Sequence, residues 1–165
     1  MKRSIILSNT EIQHKIRRIA FQIYENNVNQ KEIVIAGIAT NGFLFAKKLK
    51  TTIEEISSIK ATVCEVKVDK VNPLKEISTS LSESEYKNKS LILVDDVLSS
   101  GTTLIYAVRH FLNVPLKQFQ TAVLVNRNHK KYPIKADFKG LSLSTSLQEH
   151  ISVEYTKDSI VAYLN

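Results

Sequence analysis

Two adjacent carboxylates, Asp95 and Asp96, follow the apolar run Leu91-Ile-Leu-Val94, and a hydroxyl-rich stretch, Ser99-Ser-Gly-Thr-Thr103, comes just after them. Each part has a physical use. Ionised carboxylates only accept hydrogen bonds, which suits Asp95 and Asp96 to the vicinal hydroxyls of a sugar. Backbone N–H groups at the start of a helix bind phosphate, and the hydroxyls of Ser99, Ser100, Thr102 and Thr103 can add donors around Gly101. The segment as a whole reads as a loop for a sugar phosphate. It is not a Walker A loop, because no Gly-Lys-Ser/Thr follows the strand, and it lacks the three-glycine spacing of a dinucleotide fingerprint. A plain strand and capped helix would account for Ser99 to Thr103 but would leave the two acids without a purpose.

Other chemistry-bearing residues are more scattered. Cys64 is the only cysteine and lies in the apolar run Ala61-Thr-Val-Cys-Glu-Val66, where a small buried hydrophobe is expected; disulfide and cysteine-rich zinc frameworks are excluded. His14, His110 and His150 show no metal-ligand spacing, and no metal site built from protein ligands alone is expected. Tyr132, Tyr155 and Tyr163 read as packing residues. Arg127, Lys130, Lys131, Lys135 and Lys139, with His129, stand against one acid, Asp137, and such a patch suits RNA phosphates.

These residues need elements to hold them. The chain has 165 residues, with 23 Lys and Arg against 16 Asp and Glu and a net charge of +7, which fits one domain with a basic surface. No segment approaches the ~18 apolar residues of a membrane span, and the three apolar residues after Met1-Lys-Arg-Ser4 are too few for a signal peptide. A cytoplasmic protein without a membrane partner is expected. Ser8-Asn-Thr-Glu11 has capping-box spacing, and Ile12, Ile16, Ile19 and Ile23 continue it as an amphipathic helix to about Asn26. Buried strands are expected at 32–37, 61–68, 90–95 and 119–125, with helices at 42–57 and 101–113 between them. Residues 67–90 read as a long, flexible loop. Strands alternating with helices imply an α/β fold, a parallel sheet of about four or five strands flanked by helices. Strand-like pieces at 152–155 and 160–163 end the chain.

Val94-Asp-Asp-Val-Leu-Ser-Ser-Gly-Thr-Thr103 resembles, along its full length, the phosphoribosyl pyrophosphate (PRPP) binding motif of the type I phosphoribosyltransferases. Ala36-Gly-Ile-Ala-Thr-Asn-Gly42 and the helix after it are similar to that family's pyrophosphate loop. Ala122 to Gly140, with Ser144-Thr-Ser146, resembles the subfamily of bifunctional pyrimidine operon regulators and uracil phosphoribosyltransferases. The resemblance implies a type I fold over residues 1–165 with a small hood from the chain ends. It implies that Asp95 and Asp96 hold the ribose hydroxyls and that the motif's Val97 and Leu98 lead into the 5′-phosphate loop, Ser99, Ser100, Gly101, Thr102 and Thr103. Thr40, Asn41 and Gly42 would form the pyrophosphate loop. The reaction implied is displacement of pyrophosphate from PRPP by a pyrimidine, favouring uracil, with Mg²⁺ bridging ribose and pyrophosphate oxygens and a nucleoside monophosphate as product. Asp95, Asp96 and Asn41 would be the catalytic residues. Messenger RNA would meet Arg17, Arg18, Arg127, His129, Lys130 and Lys135, and a homodimer or larger assembly is implied.

Two departures stand out. Asn41 occupies a position where the regulators carry Arg, and Val71-Asn-Pro73 lies in a shorter hood loop than theirs. Lys67, Lys70 or Lys75 could replace the missing charge. The alternatives that follow are a nucleotide-sensing RNA-binding regulator without turnover, and a transferase for another base.

Overall fold

Ser8 and Glu11 exchange side-chain and backbone hydrogen bonds, and from this capping box runs α1, Asn9–Glu25, as the spacing predicts. In the computed structural model, which describes residues 3–165, the stripe Ile12, Ile16, Ile19 and Ile23 is buried. β2 (Glu32–Ile38) leads into α2 (Asn41–Ile56) and returns as β3 (Lys60–Lys67). β5 (Ser90–Leu98) leads into α4 (Thr102–Phe111) and returns as β6 (Gln118–Arg127). These are the expected strand–helix–strand units, although β5 and β6 run further than their apolar cores, to Leu98 and Arg127.

The span expected to be loop, 67–90, holds a two-residue strand, β4 (Ser78–Thr79), and one helical turn, α3 (Glu83–Tyr86). α3 is too short for a periodic stripe, yet it buries Tyr86 edge-on against Phe111 at 5.1 Å between ring centroids. β7 (Phe138–Leu143) pairs in parallel with β6 and completes a sheet in the order β4-β3-β2-β5-β6-β7, with only β4 antiparallel. β1 (Ser4–Leu7), β8 (Ile151–Tyr155) and β9 (Ile160–Leu164) form a separate antiparallel sheet in the order β1-β9-β8, the hood.

Two cores sandwich the main sheet. One joins α1, α2 and the hood residues Val153, Ile160 and Ala162; the other joins α4 and Tyr86 on the opposite side. From β2 the chain moves outward to β3, and from β5 it moves the other way to β6 and β7. The order therefore reverses between β2 and β5, and ligands of open α/β sheets bind beyond the carboxyl ends of the strands at such a reversal.

Candidate functional site

The two strands flanking that reversal end in the two loops singled out by the sequence. After β2, Gly37 lies so close to the start of α2 that a Cβ there would sit 2.5 Å from both Gly42 O and Phe43 Cα. Gly42 abuts β5, where a Cβ would come within 2.8 Å of Val94 O. Both glycines thus serve close backbone approach, and this approach brings Asn41 beside the end of β5. The Ala39–Thr40 peptide bond in this loop is cis. Gly101 is different: its φ of 82° is left-handed, and it turns β5 into α4.

A cleft of about 410 Å³ opens here, within the range of small-molecule sites. Asn41, Lys70, Asp95, Asp96, the Val97–Gly101 turn, Thr103 and Leu104 line it, and Ile151, Ser152 and Val153 of the hood close its far side. The acids are buried, at 6% and 8% exposure. Asp95 Oδ1 accepts from the Asp96 N–H and Asp96 Oδ1 from the Val97 N–H, both at 2.9 Å. Asn41 Nδ2 donates to Asp96 Oδ2 and to Val153 O, each at 2.9 Å. One amide thus ties the start of α2 to the acids and to the hood. Burial, and then the charge of Asp96, hold the Asp95 carboxyl well above the usual carboxylate range, while the charge of Lys70 acts the other way.

At the other end, α4 begins at Thr102 behind Gly101, which brings no capping side chain. The N–H groups of Thr103 and Leu104 precede the first intrahelical bond, from Ile105 N to Gly101 O, and both residues line the cleft. Thr102 is turned aside: its hydroxyl lies 3.0 Å from that of Ser100 and its side chain does not line the cleft. Thr40 is exposed and, like Gly42, lies outside the lining.

Of the three lysines named as substitutes for a missing charge, Lys67 pairs with Glu65 and Lys75 with Asp69, whereas Lys70 lines the cleft and makes no ion pair among the described residues. Only the structure makes that choice. Tyr155, read from sequence as packing, packs against the core with its hydroxyl buried and unpartnered. Burial and the charges of Asp96 and Asp95 push its phenol up.

The basic residues do not form one patch. Arg127 is buried at 7% exposure and bonded to Thr145, Ser146 and Ser99, so the expected RNA contact is corrected to an internal one. His129 is half-buried, with a ring nitrogen against Thr145 O. Arg18 is exposed but spends its guanidinium on Lys139 O and Gly140 O, at 3.0 and 2.8 Å, and Arg17 lies over the Phe21 ring. Lys131 and Lys135 are exposed and Lys130 half-buried. The Lys131 and Tyr132 N–H groups donate to Ser100 O, which sets this segment against the Ser99–Thr103 turn.

Among the described residues no group of three or more acidic, His or Cys side chains could hold a metal ion. Two carboxylates at an open cleft do fit Mg²⁺ that keeps its waters and is held largely by substrate oxygens. No helix among the described residues is long and apolar enough to cross a membrane.

Comparison with known proteins gives a consistent result. The phosphoribosyl transferase domain model matches residues 2–158. A Streptococcus agalactiae protein named bifunctional protein PyrR is 32% identical over 157 residues, covering 93% of this chain and 91% of that one. Its Bacillus pumilus namesake is 33% identical over 165 residues, with the same coverages. In fold, the chain is similar to the hypoxanthine phosphoribosyltransferase of Trypanosoma cruzi, with a TM-score of 0.78, 16% identity, and coverage of 96% of this chain and 95% of that one. It is also similar to a hypoxanthine-guanine phosphoribosyltransferase from Bacillus anthracis, with a TM-score of 0.77, 19% identity, and coverage of 98% and 97%.

Proposed function

Because the chain belongs to the phosphoribosyl transferase domain family, we propose that residues 1–165 form a single domain that transfers phosphoribosyl from PRPP to uracil, releasing pyrophosphate and a nucleoside monophosphate. The observation that carries this is the meeting of Asn41, Lys70, the acid pair and the phosphate loop in one cleft at the strand-order reversal. Uracil is favoured by the PyrR relatives.

No side chain need become covalently attached. The phosphate loop fixes the 5′-phosphate through N–H and hydroxyl donors. Asp96 and Asp95 lie where ribose hydroxyls can donate to them, which orients the anomeric carbon toward a base under the hood. Mg²⁺ bound with PRPP would be held by Asp95 or Asp96 and would neutralise developing charge on the pyrophosphate. Lys70 faces the same space and supplies the protein's own cation. Its flexible stem lets it follow the leaving group, and positive charge there stabilises the transition state more than the ground state. Hood residues Ile151, Ser152 and Val153 exclude water from the reacting centre.

A second reading is a nucleotide-sensing regulator of pyrimidine genes that binds messenger RNA and has little or no turnover. It is favoured by Asn41, whose amide hydrogens are both spent within the protein. Lys130, Lys131 and Lys135 beside the phosphate loop would be its RNA contacts, in a homodimer or larger assembly. Incubation with labelled PRPP, Mg²⁺ and a panel of bases, following pyrophosphate release, decides between the two. Release with uracil alone supports the transferase; release with purines only overturns the choice of base. No release, together with tight nucleotide binding, supports the regulator.

A further inference from the structure

Arg127 closes β6 beside the phosphate loop and is 7% exposed. Its guanidinium donates through Nε to Thr145 Oγ1 at 2.6 Å, through Nη2 to Ser146 O at 2.9 Å and through Nη1 to Ser99 Oγ at 3.3 Å. Among the described residues no carboxylate pairs with it. Glu149 feels its field, but that carboxylate accepts from the Ser146 N–H instead.

A guanidinium taken out of water is costly unless opposite charge comes with it. Three neutral oxygens take one bond from each of its nitrogens and leave its charge unmatched. The bond to Ser99 points to where an anion would enter, since Ser99 lines the cleft and Arg127 stands behind it. A serine oxygen that accepts from a guanidinium keeps its own hydrogen free to donate toward the cleft. The other two bonds grip Thr145 and Ser146, in the segment that leads into hood strand β8, so one side chain joins the phosphate loop to the hood's approach.

We infer that Arg127 is a positioning residue for the substrate's 5′-phosphate, orienting Ser99 as a donor and supplying the positive charge behind it. This rests on the phosphoribosyl reading of the cleft and adds to it a residue that does not line the cleft.

The test is calorimetry with PRPP, uridine monophosphate and magnesium pyrophosphate on the wild type, Arg127→Met, Arg127→Lys, Ser99→Ala and the Arg127→Met/Ser99→Ala double variant. Arg127→Met should weaken PRPP and uridine monophosphate about 10- to 100-fold, the range for a charged hydrogen-bonding group. Magnesium pyrophosphate, which has no ribose phosphate, should bind unchanged. Arg127→Lys should recover part of the loss, because the charge stays and the fork is gone. In the Ser99→Ala background Arg127→Met should cost clearly less than alone, because the two act through one bond. An equal loss for all three ligands, or full additivity with Ser99→Ala, would show a merely structural role and overturn the inference. Should Arg127→Met fail to fold, Arg127→Lys decides: selective weakening of the two ribose phosphates supports the assignment, and unselective weakening defeats it. A wild type that binds neither PRPP nor uridine monophosphate overturns the phosphoribosyl reading itself.

Discussion

The two ends of the cleft are built on opposite plans. The end proposed to hold the phosphate comes from one stretch, Asp95 to Leu104, folded as a strand end, a left-handed glycine and the first turn of a helix. The opposite end is assembled from Asn41 at the start of α2, Lys70 in the loop after β3, and Ile151 to Val153 of the hood. The bond that closes it, from Asn41 to Val153 O, joins residues 112 apart. The Asp95–Leu104 end is backed by local hydrogen bonds and a buried guanidinium, whereas the opposite end offers one amide and one exposed lysine. Under the proposed reaction the group that does not react would be held by the pre-formed half, and the half that must admit and release pyrophosphate would be joined by few bonds. Binding energy from the unreacting phosphate can then be used to orient the bond that breaks.

The most damaging break in this arrangement is at Asp96, where the two halves meet. Asp96→Ala removes a ribose acceptor and one of the two bonds that hold Asn41, leaving its bond to Val153 O. PRPP and uridine monophosphate should each bind about 100-fold more weakly, as expected for a lost charged acceptor. Calorimetry beside a thermal melt checks this; unchanged affinity in a folded variant removes Asp96 from the site.

Lys70→Met should separate the halves. The rate of pyrophosphate release should fall about 10-fold, corresponding to ~1.4 kcal/mol of transition-state stabilisation. Uridine monophosphate, which carries no pyrophosphate, should bind as before. An equal fall in both would mean that Lys70 serves the phosphate end, and that the division drawn above is wrong.

How much of each half could be read from the sequence follows the same line. The phosphate end was legible because its chemistry and its geometry lie in consecutive residues: an apolar run, two acids and a hydroxyl-rich glycine turn allow one local arrangement. The sheet was legible for a similar reason, since continuous apolar runs alternated with helical stripes. The hood strands β8 and β9 are legible too, as the strand-like pieces at 152–155 and 160–163, but which side chains of that end face the cleft is not. Nothing in Lys67, Lys70 and Lys75 distinguishes the one that faces the cleft, because the choice depends on Glu65 and Asp69 taking the other two. Arg127 read as a surface cation because its partners, Thr145 and Ser146, are 18 and 19 residues away. β7 is not legible because Phe138-Lys-Gly-Leu-Ser-Leu143 is an edge strand with alternating burial and no continuous apolar run. α3 is too short to show a period.

Asn41→Ala tests the joint from the other side. It deletes the bonds to Asp96 and Val153 O while leaving every charge in place. The expected loss in kcat/KM is about 10-fold, the worth of one hydrogen bond to a charged acceptor. Faster amide exchange in β8 than in β6 would mark the loosened hood. Uniform exchange across both strands would show that the hood is held by its core contacts alone.

The smallest effect expected is on stability, and it concerns the acid that the site keeps buried. The folded chain holds Asp95 in its protonated form to a higher pH than the unfolded chain does, because burial and the charge of Asp96 oppose ionisation. Unfolding therefore releases a proton over the window from the ordinary aspartate range up to the raised folded value. Stability must fall as pH rises through that window. Below it both states are protonated and the residue contributes nothing to the pH dependence. Asparagine resembles the protonated acid at every pH and can still accept from the Asp96 N–H through its side-chain oxygen. Asp95→Asn should thus melt at the wild-type temperature near pH 4 and above it near pH 8. The same variant should bind PRPP more weakly above that window, where the wild-type acid is ionised and only accepts. A variant less stable than the wild type at pH 8 would mean that the carboxylate is ionised and fully compensated in the fold, with Lys70 outweighing burial, and the site would then carry no stability cost at this position.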